Sequence, residues 1–258
     1  MFRWRTNLVA LGTIVHKEIG RFLRIWLQTI VPPAITMALY FVVFGRLIGP
    51  RVGAMSGFSY PQYIAPGLIM MAVITNAYAN VVSSFFSAKF QRHIEEMLVA
   101  PVPDGILLAG YVIGGIARGL AVGVVVTLVA LFFTDLTLHS AVLTLAIVLL
   151  TATLFSIAGL INGIYARNFD DVSVIPTFVL TPLTYLGGVF YSIDMLPAFW
   201  RGLSRLNPVL YMVNAFRYGI LGVADIGITT ALLVLLVLIA ALTLFALALL
   251  RRGTGLRT

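Results

Sequence analysis

The chain has three histidines, His16, His93 and His139, and they are scattered. No H-E-x-x-H sets two of them on one helix face to hold zinc, and no G-x-S-x-G presents a serine nucleophile. Cysteine is absent, which removes thiolate metal sites, cysteine nucleophiles and disulfides. A phosphate-binding loop needs G-x-x-x-x-G-K-[ST], but the only lysines, Lys17 and Lys89, follow His16 and Ala88. If nucleotide drives this protein, another chain binds it. The polar residues that remain suit contact more than covalent chemistry. Asn76, Asn80 and Ser84 recur at i, i+4 and i+8, with Ser83 and Ser87 beside them, and Arg118 interrupts an otherwise charge-free run.

These residues sit in an apolar chain. Of 258 residues, 60% are hydrophobic and 10% charged, against about 25% charged in an ordinary soluble domain. Mean hydropathy is +1.04. The composition describes an all-α integral membrane protein. Its net charge of +8 is read first as membrane topology and contact with anionic lipid, not nucleic acid.

A helix needs about 20 apolar residues to cross the hydrocarbon core. Five charge-free stretches of that length, and a sixth broken only by Arg118, predict six transmembrane helices, near 26–45, 60–87, 106–132, 141–165, 172–190 and 228–250. The short gap between Arg205 and Arg217 cannot cross. An even count puts both termini on one side. The basic residues of the terminal segments (Arg3, Arg5, Lys17, Arg21, Arg24, Arg251, Arg252, Arg257), with Lys89, Arg92 and Arg167, outnumber Arg46, Arg51, Arg201, Arg205 and Arg217 opposite. Positive-inside counting makes both termini and 89–104 cytoplasmic, and 46–59 and 191–226 external. A cleaved signal peptide is not expected, because its apolar stretch would have to cross His16, Lys17 and Glu18.

Three segments outside the spans carry patterns. Over 8–26, Leu8, Leu11, Val15, Ile19, Phe22 and Trp26 share one helical face, with Lys17, Arg21 and Arg24 opposite. This predicts an amphipathic helix in the membrane interface, its basic face toward headgroups and water. After the second span, Phe86, Phe90, Ile94 and Met97–Leu98 predict a short helix ended by Pro101 and Pro103. Its mixed charges fit a solvated loop helix or a protruding helix that docks on another protein. Before the last span, Ser192 or Asp194 caps one short helix, Asn207-Pro208 opens another, and Tyr191, Phe199, Trp200, Tyr211, Phe216 and Tyr218 crowd both. This is expected to be a helical hairpin at the outer interface, an aromatic belt or a lid.

Within the spans, Gly110/Gly114, Gly115/Gly119/Gly123 and Gly159/Gly163 form small-residue rows that allow close helix approach, within one subunit or between two. The Asn76–Asn80–Ser84 row must face protein or water. It supplies interhelical hydrogen bonds or lines a pathway. Arg118 lies about 18 Å along its span at 1.5 Å per residue. A charge so placed needs a partner: an end-of-span acid such as Asp170 or Asp171, polar groups such as Asn76 and Asn80, or cavity water. No acid falls inside a predicted span. That argues against an ion-coupled secondary transporter or channel, and the lack of a polar catalytic cluster against a membrane-embedded lipid-modifying enzyme.

Several stretches together resemble the ABC-2 type permeases. These are Glu95-Glu-Met-Leu-Val-Ala-Pro101, Ala166-Arg-Asn-Phe-Asp-Asp171, Pro182-Leu-Thr-Tyr-Leu-Gly-Gly-Val-Phe-Tyr-Ser192, and Asn207-Pro-x-x-Tyr211 followed by Arg217-Tyr218. The resemblance runs nearly end to end. It implies the ABC-2 exporter transmembrane fold as one domain, 1–258. An interfacial connecting helix (1–25) precedes spans one to five (26–190), with a coupling helix at 89–100. External re-entrant helices (191–227), span six (228–250) and a cytoplasmic tail (251–258) follow. The implied coupling residues are Phe90, Arg92, Ile94, Glu95, Glu96, Met97 and Leu98. A polar network or pathway involves Asn76, Asn80, Ser84 and Arg118. The hairpin carries Tyr191, Asp194, Trp200, Asn207, Pro208, Tyr211, Arg217 and Tyr218. The resemblance further implies a permease subunit of an ATP-driven exporter in the bacterial inner membrane. It would be paired with a second copy of itself and two cytoplasmic ATPases, in contact with membrane lipids and an exported substrate. No cofactor, metal or catalysis is expected on this chain; ATP and Mg would bind the partner ATPase.

Overall fold

The computed structural model describes residues 2–94, 102–253 and 255; of Phe2 and Arg3 only the backbone is described. Apart from a two-stranded hairpin, Ala54–Met55 paired with Phe58–Ser59, its regular structure is helical. Helix α1 is Phe2–Arg24. Helix α2, Trp26–Val52, includes Pro32 and Pro33 and widens to π geometry over Phe41–Ile48. Helix α3 is Tyr60–Phe90, α4 Asp104–Leu131 and α5 Ala141–Tyr165. Helix α6 covers 169–185 in three pieces, α7 is Ala198–Arg205, α8 Pro208–Leu221 and α9 Ile228–Arg252.

Among the described residues, α2, α3, α4, α5 and α9 are long and apolar enough to cross a membrane. They match five of the six predicted spans closely. The remaining prediction, 172–190, falls on α6, which is shorter. Pro176 begins a π stretch, Pro182 lies in the last piece, and Gly188 turns the chain with φ +70. Each proline lacks the N–H that would continue the helix ladder, and the left-handed glycine ends it.

Helix α3 is the axis of the molecule. In its most apolar window 83% of residues are buried, against 17% in α2 and in α9. The glycine rows explain how its neighbours approach. A Cβ on Gly115 or Gly123 would collide with Val81 or Val73 of α3, and one on Gly119 would press on Ala77. Gly159 lies against the Tyr78 carbonyl, and Gly163 against Phe85. Both rows therefore bring α4 and α5 close to α3 within one chain, the small-residue contact that replaces hydrophobic driving force in lipid.

The first row of α4 serves α1. Gly110 admits Ile14 and Gly114 admits Glu18. These contacts advance four residues on each helix, so α1 runs alongside the first turns of α4. Its inward face is Ile14, Glu18 and Phe22, all buried, whereas Leu8 and Trp26 of the predicted apolar face are half exposed. Lys17 and Arg24 point outward as expected, but Arg21 turns in.

Gly159→Ala forces a methyl into a backbone carbonyl and should destabilise by about 1–3 kcal/mol. Gly202→Ala on α7, where a Cβ meets nothing within 4 Å, should be neutral or slightly stabilising. Thermal unfolding of the two variants in detergent, followed by tryptophan fluorescence, checks the contrast.

Candidate functional site

The structure brings the polar row of α3 together with Arg118 and with two residues of α1: Arg21, which periodicity set on the outward basic face, and Glu18, which it did not single out. Asn76, one turn from Asn80, accepts at Oδ1 from Arg118 Nη2 at 3.2 Å and donates its own Nδ2 to the Ala72 carbonyl at 3.0 Å. Asn80 accepts from Arg21 Nη2 at both its carbonyl and its Oδ1, each at 2.8 Å. Ser84 donates to Glu18 Oε1, and Glu18 Oε2 faces Arg21 Nη2 at 3.4 Å. Glu18 is fully buried. Two neighbouring clusters thus tie three helices: Arg118 of α4 to Asn76, and Glu18 and Arg21 of α1 to Ser84 and Asn80. Neither Asp170 nor Asp171 pairs with Arg118; Asp171 instead caps α6 through the Arg167 and Asn168 N–H groups. The missed signal was positional: Ile14, Glu18 and Phe22 lie at i, i+4 and i+8, so a carboxylate shares the apolar face.

At the other end of α3 the helical pair 191–221 is built around Arg217. Sequence counting placed this residue among external loop charges. The structure buries it at 1% exposure on α8, packed where Gly188 turns the chain. Nη2 donates to the Gly188 carbonyl at 2.6 Å and Nε to the Tyr63 carbonyl at 3.3 Å, and the guanidinium lies 4.0 Å over the Tyr63 ring. Asn207 caps α8 at the Val209 N–H (3.0 Å) and reaches back to the Leu183 carbonyl at 2.6 Å, with Pro208 at the first helical position. Tyr211 donates to the Arg205 carbonyl at 2.7 Å. Tyr218 meets His139 edge-on with ring centroids 5.3 Å apart.

The connection to α9 is pinned by Asp225, which was not among the candidate residues. Its Oδ2 accepts from Ser192 Oγ at 2.9 Å and from the Ile193 N–H at 3.1 Å, while its own N–H donates to Asn214 Oδ1 at 2.9 Å. Ser192 caps the turn Ile193–Met195, and Asp194 is exposed at its centre. Trp200 is 47% exposed on α7, beside Phe199. Burial raises the pKa of the Tyr191 hydroxyl above its ordinary value, keeping it protonated.

At the opposite end α3 ends at Phe90. Arg92 adopts φ 63, which breaks the helix that the sequence pattern carried through from Phe86. Phe90 is 61% exposed and Arg92 points outward, while Ile94 is buried beneath with Phe85, Leu107 and Ile164. Phe86, Phe90 and Phe169 form an aromatic cluster with centroid distances of 5.0–6.0 Å. Lys89 Nζ donates to the Ile164 and Ala166 carbonyls, both at 2.7 Å, completing the end of α5. The expected coupling residues Glu95, Glu96, Met97 and Leu98 lie outside the described residues. No described group of three His, Asp or Glu side chains could hold a metal ion.

Residues 9–221 match the family described as "ABC-2 type transporter". The chain belongs to the ABC-2 type transporter family. It is a multi-pass membrane component of an ABC transporter, a class whose members work with an ABC ATPase. "Inner membrane transport permease YadH" of Escherichia coli K12 is 62% identical to it over 97% of this chain and 98% of its own length. "Nodulation protein J" of Rhizobium leguminosarum bv. viciae is 24% identical, covering 83% of each chain. The namesake from Rhizobium meliloti strain 1021 is 22% identical over 85% of this chain.

Asp225→Ala removes the acceptor for the Ile193 amide without touching the bundle core. Losing a bond to a charged acceptor costs about 1.5–3 kcal/mol. Hydrogen exchange at Ile193 should therefore speed up tenfold or more, with amides of α3 unchanged, as read by exchange mass spectrometry.

Proposed function

We propose that the chain is the permease subunit of an ATP-driven exporter of the bacterial inner membrane. It forms the translocation pathway and couples it to a separate ATPase, as the names of its relatives and its family suggest. The observation that supports coupling most directly is the stem at Phe90. An exposed aromatic and an exposed arginine project from the end of the most buried helix, next to the segment Glu95–Leu98 that resembles a coupling helix. A partner pressing on this stem acts on α3, and through α3 on α4, α5 and α8. ATP and Mg bind the partner. Two copies of the chain with two ATPases would alternate between inward- and outward-facing states as the ATPase pair closes.

In this reading α6 is the sixth crossing element. Both termini and the 89–104 loop face the cytoplasm, α1 is the connecting helix, and 191–227 is a re-entrant cap at the outer face. The Asn76, Asn80, Ser84 and Arg118 network stands beside the pathway. The permease itself performs no covalent chemistry.

Reversal of both Glu95 and Glu96 to Lys should reduce co-purification of the ATPase with the tagged permease at least severalfold while membrane insertion stays normal. Undiminished co-purification and transport would remove the coupling role. Because the chain has no cysteine, single cysteines report topology cleanly. Substitutions at Ser56 and Leu206, both exposed, should react with an impermeant maleimide in spheroplasts, whereas one at Arg252 should react only after permeabilisation. The reverse pattern overturns the orientation.

A further inference from the structure

The network between α1, α3 and α4 holds more positive charge than its own residues neutralise. Glu18 supplies one carboxylate, with Oε1 taken by Ser84 and Oε2 facing Arg21. Arg118 forms no ion pair among the described residues, and its one hydrogen bond is to the neutral amide of Asn76. Asn76 and Asn80 are one helical turn apart, a rise of about 6 Å, so they hold the guanidinium groups of Arg118 and Arg21 along the same face of α3. In both arginines the Nε donor is buried and has no partner. An uncompensated guanidinium between apolar helices is costly unless an anion or water meets it. The site is reachable all the same: the Arg21 side chain keeps 29% of its exposure, and Arg118 is partly exposed.

We propose that Arg21 and Arg118 form an oxyanion-binding site that takes the phosphate or carboxylate head of an amphiphilic ligand. Guanidinium groups bind such heads through short, charge-assisted hydrogen bonds, and two of them a turn apart can share one tetrahedral head. An apolar body suits the surroundings, because α3 and α4, which carry the site, are long and apolar enough to cross a membrane. Glu18 is the positioning residue: it orients Arg21 and leaves the site with an excess of positive charge. The inference rests on the reading of the chain as a lipid-embedded transport subunit. It assigns to that subunit a ligand class, carried either by a bilayer lipid headgroup or by a soluble phosphate.

The test uses the purified full-length permease in neutral detergent without its ATPase, so failure of ATPase coupling cannot be mistaken for failure of the site. Native mass spectrometry measures retention of dioleoyl phosphatidate against dioleoylglycerol, which shares its tails and lacks the phosphate. The wild type should retain phosphatidate preferentially. Arg118→Gln and Arg21→Gln should each lower that preference about tenfold, and Arg118→Lys, which keeps charge but loses the Nε donor, should fall between. Arg251→Gln/Arg252→Gln, a pair of exposed tail charges, should behave as wild type. Loss of bound phosphatidate on adding millimolar inorganic phosphate assigns the site to soluble oxyanions, and its persistence assigns it to lipid heads. Equal retention of the two lipids by the wild type overturns the proposal. So does a preference unchanged in Arg118→Gln and Arg118→Lys, or one lost as fully in the tail variant. Unfolding temperatures within a few degrees of wild type for Arg118→Lys separate a lost ligand from a lost fold.

Discussion

In hydrocarbon, apolar side chains gain little by leaving the solvent, so helices associate through close backbone approach and through polar groups that have nowhere else to go. Helix α3 shows both. Gly115, Gly119 and Gly123 of α4 and Gly159 and Gly163 of α5 bring two helices against it without intervening side chains. Burial of α3 then obliges Asn76, Asn80 and Ser84 to find partners on its neighbours. The partners are Arg118 on α4 and the Arg21–Glu18 pair on α1. The glycines create the contact, and the polar row makes it specific.

Two arginines far apart in the chain solve the same problem differently. Arg217 is enclosed by carbonyl oxygens and the face of Tyr63, with no carboxylate within ion-pair distance among the described residues. It fastens α8 to α3 and to the turn at Gly188, and so sets where the helical pair 191–221 sits. Arg118 has a single neutral partner and an opening. One guanidinium is spent on architecture and the other is left available. Removing either would leave its neighbours' polar groups unpaired, but of the two only Arg118 is partly exposed.

The two ends of α3 also differ in kind. At the Tyr63 end, Tyr63 supports Arg217 within a pinned assembly whose loops are tied by Asp225 and Asn207. At the opposite end Phe90 projects, while Lys89 and Ile94 anchor the stem to α5 and to the core beneath. A helix buried along most of its length and exposed at one tip suits the transmission of displacement that the proposed coupling requires.

Composition and charge spacing alone determined that the chain is helical and membrane-embedded, and located five spans to within a few residues, because twenty apolar residues without charge have few other fates. The glycine rows and the polar row were visible too, since both follow helical periodicity. Periodicity states which residues share a face but not what that face meets. Apolar counting turned α1 by its leucines and left Glu18 and Arg21 outside the network. The packed chain turns it by Gly110 and Gly114, whose missing side chains make room for Ile14 and the carboxylate. Arg217 likewise read as a loop charge, because the short interval around it cannot span a bilayer. Only the tertiary structure supplied the enclosing carbonyls of Tyr63 and Gly188, residues distant in sequence, that let a guanidinium be buried without an ion pair among the described residues.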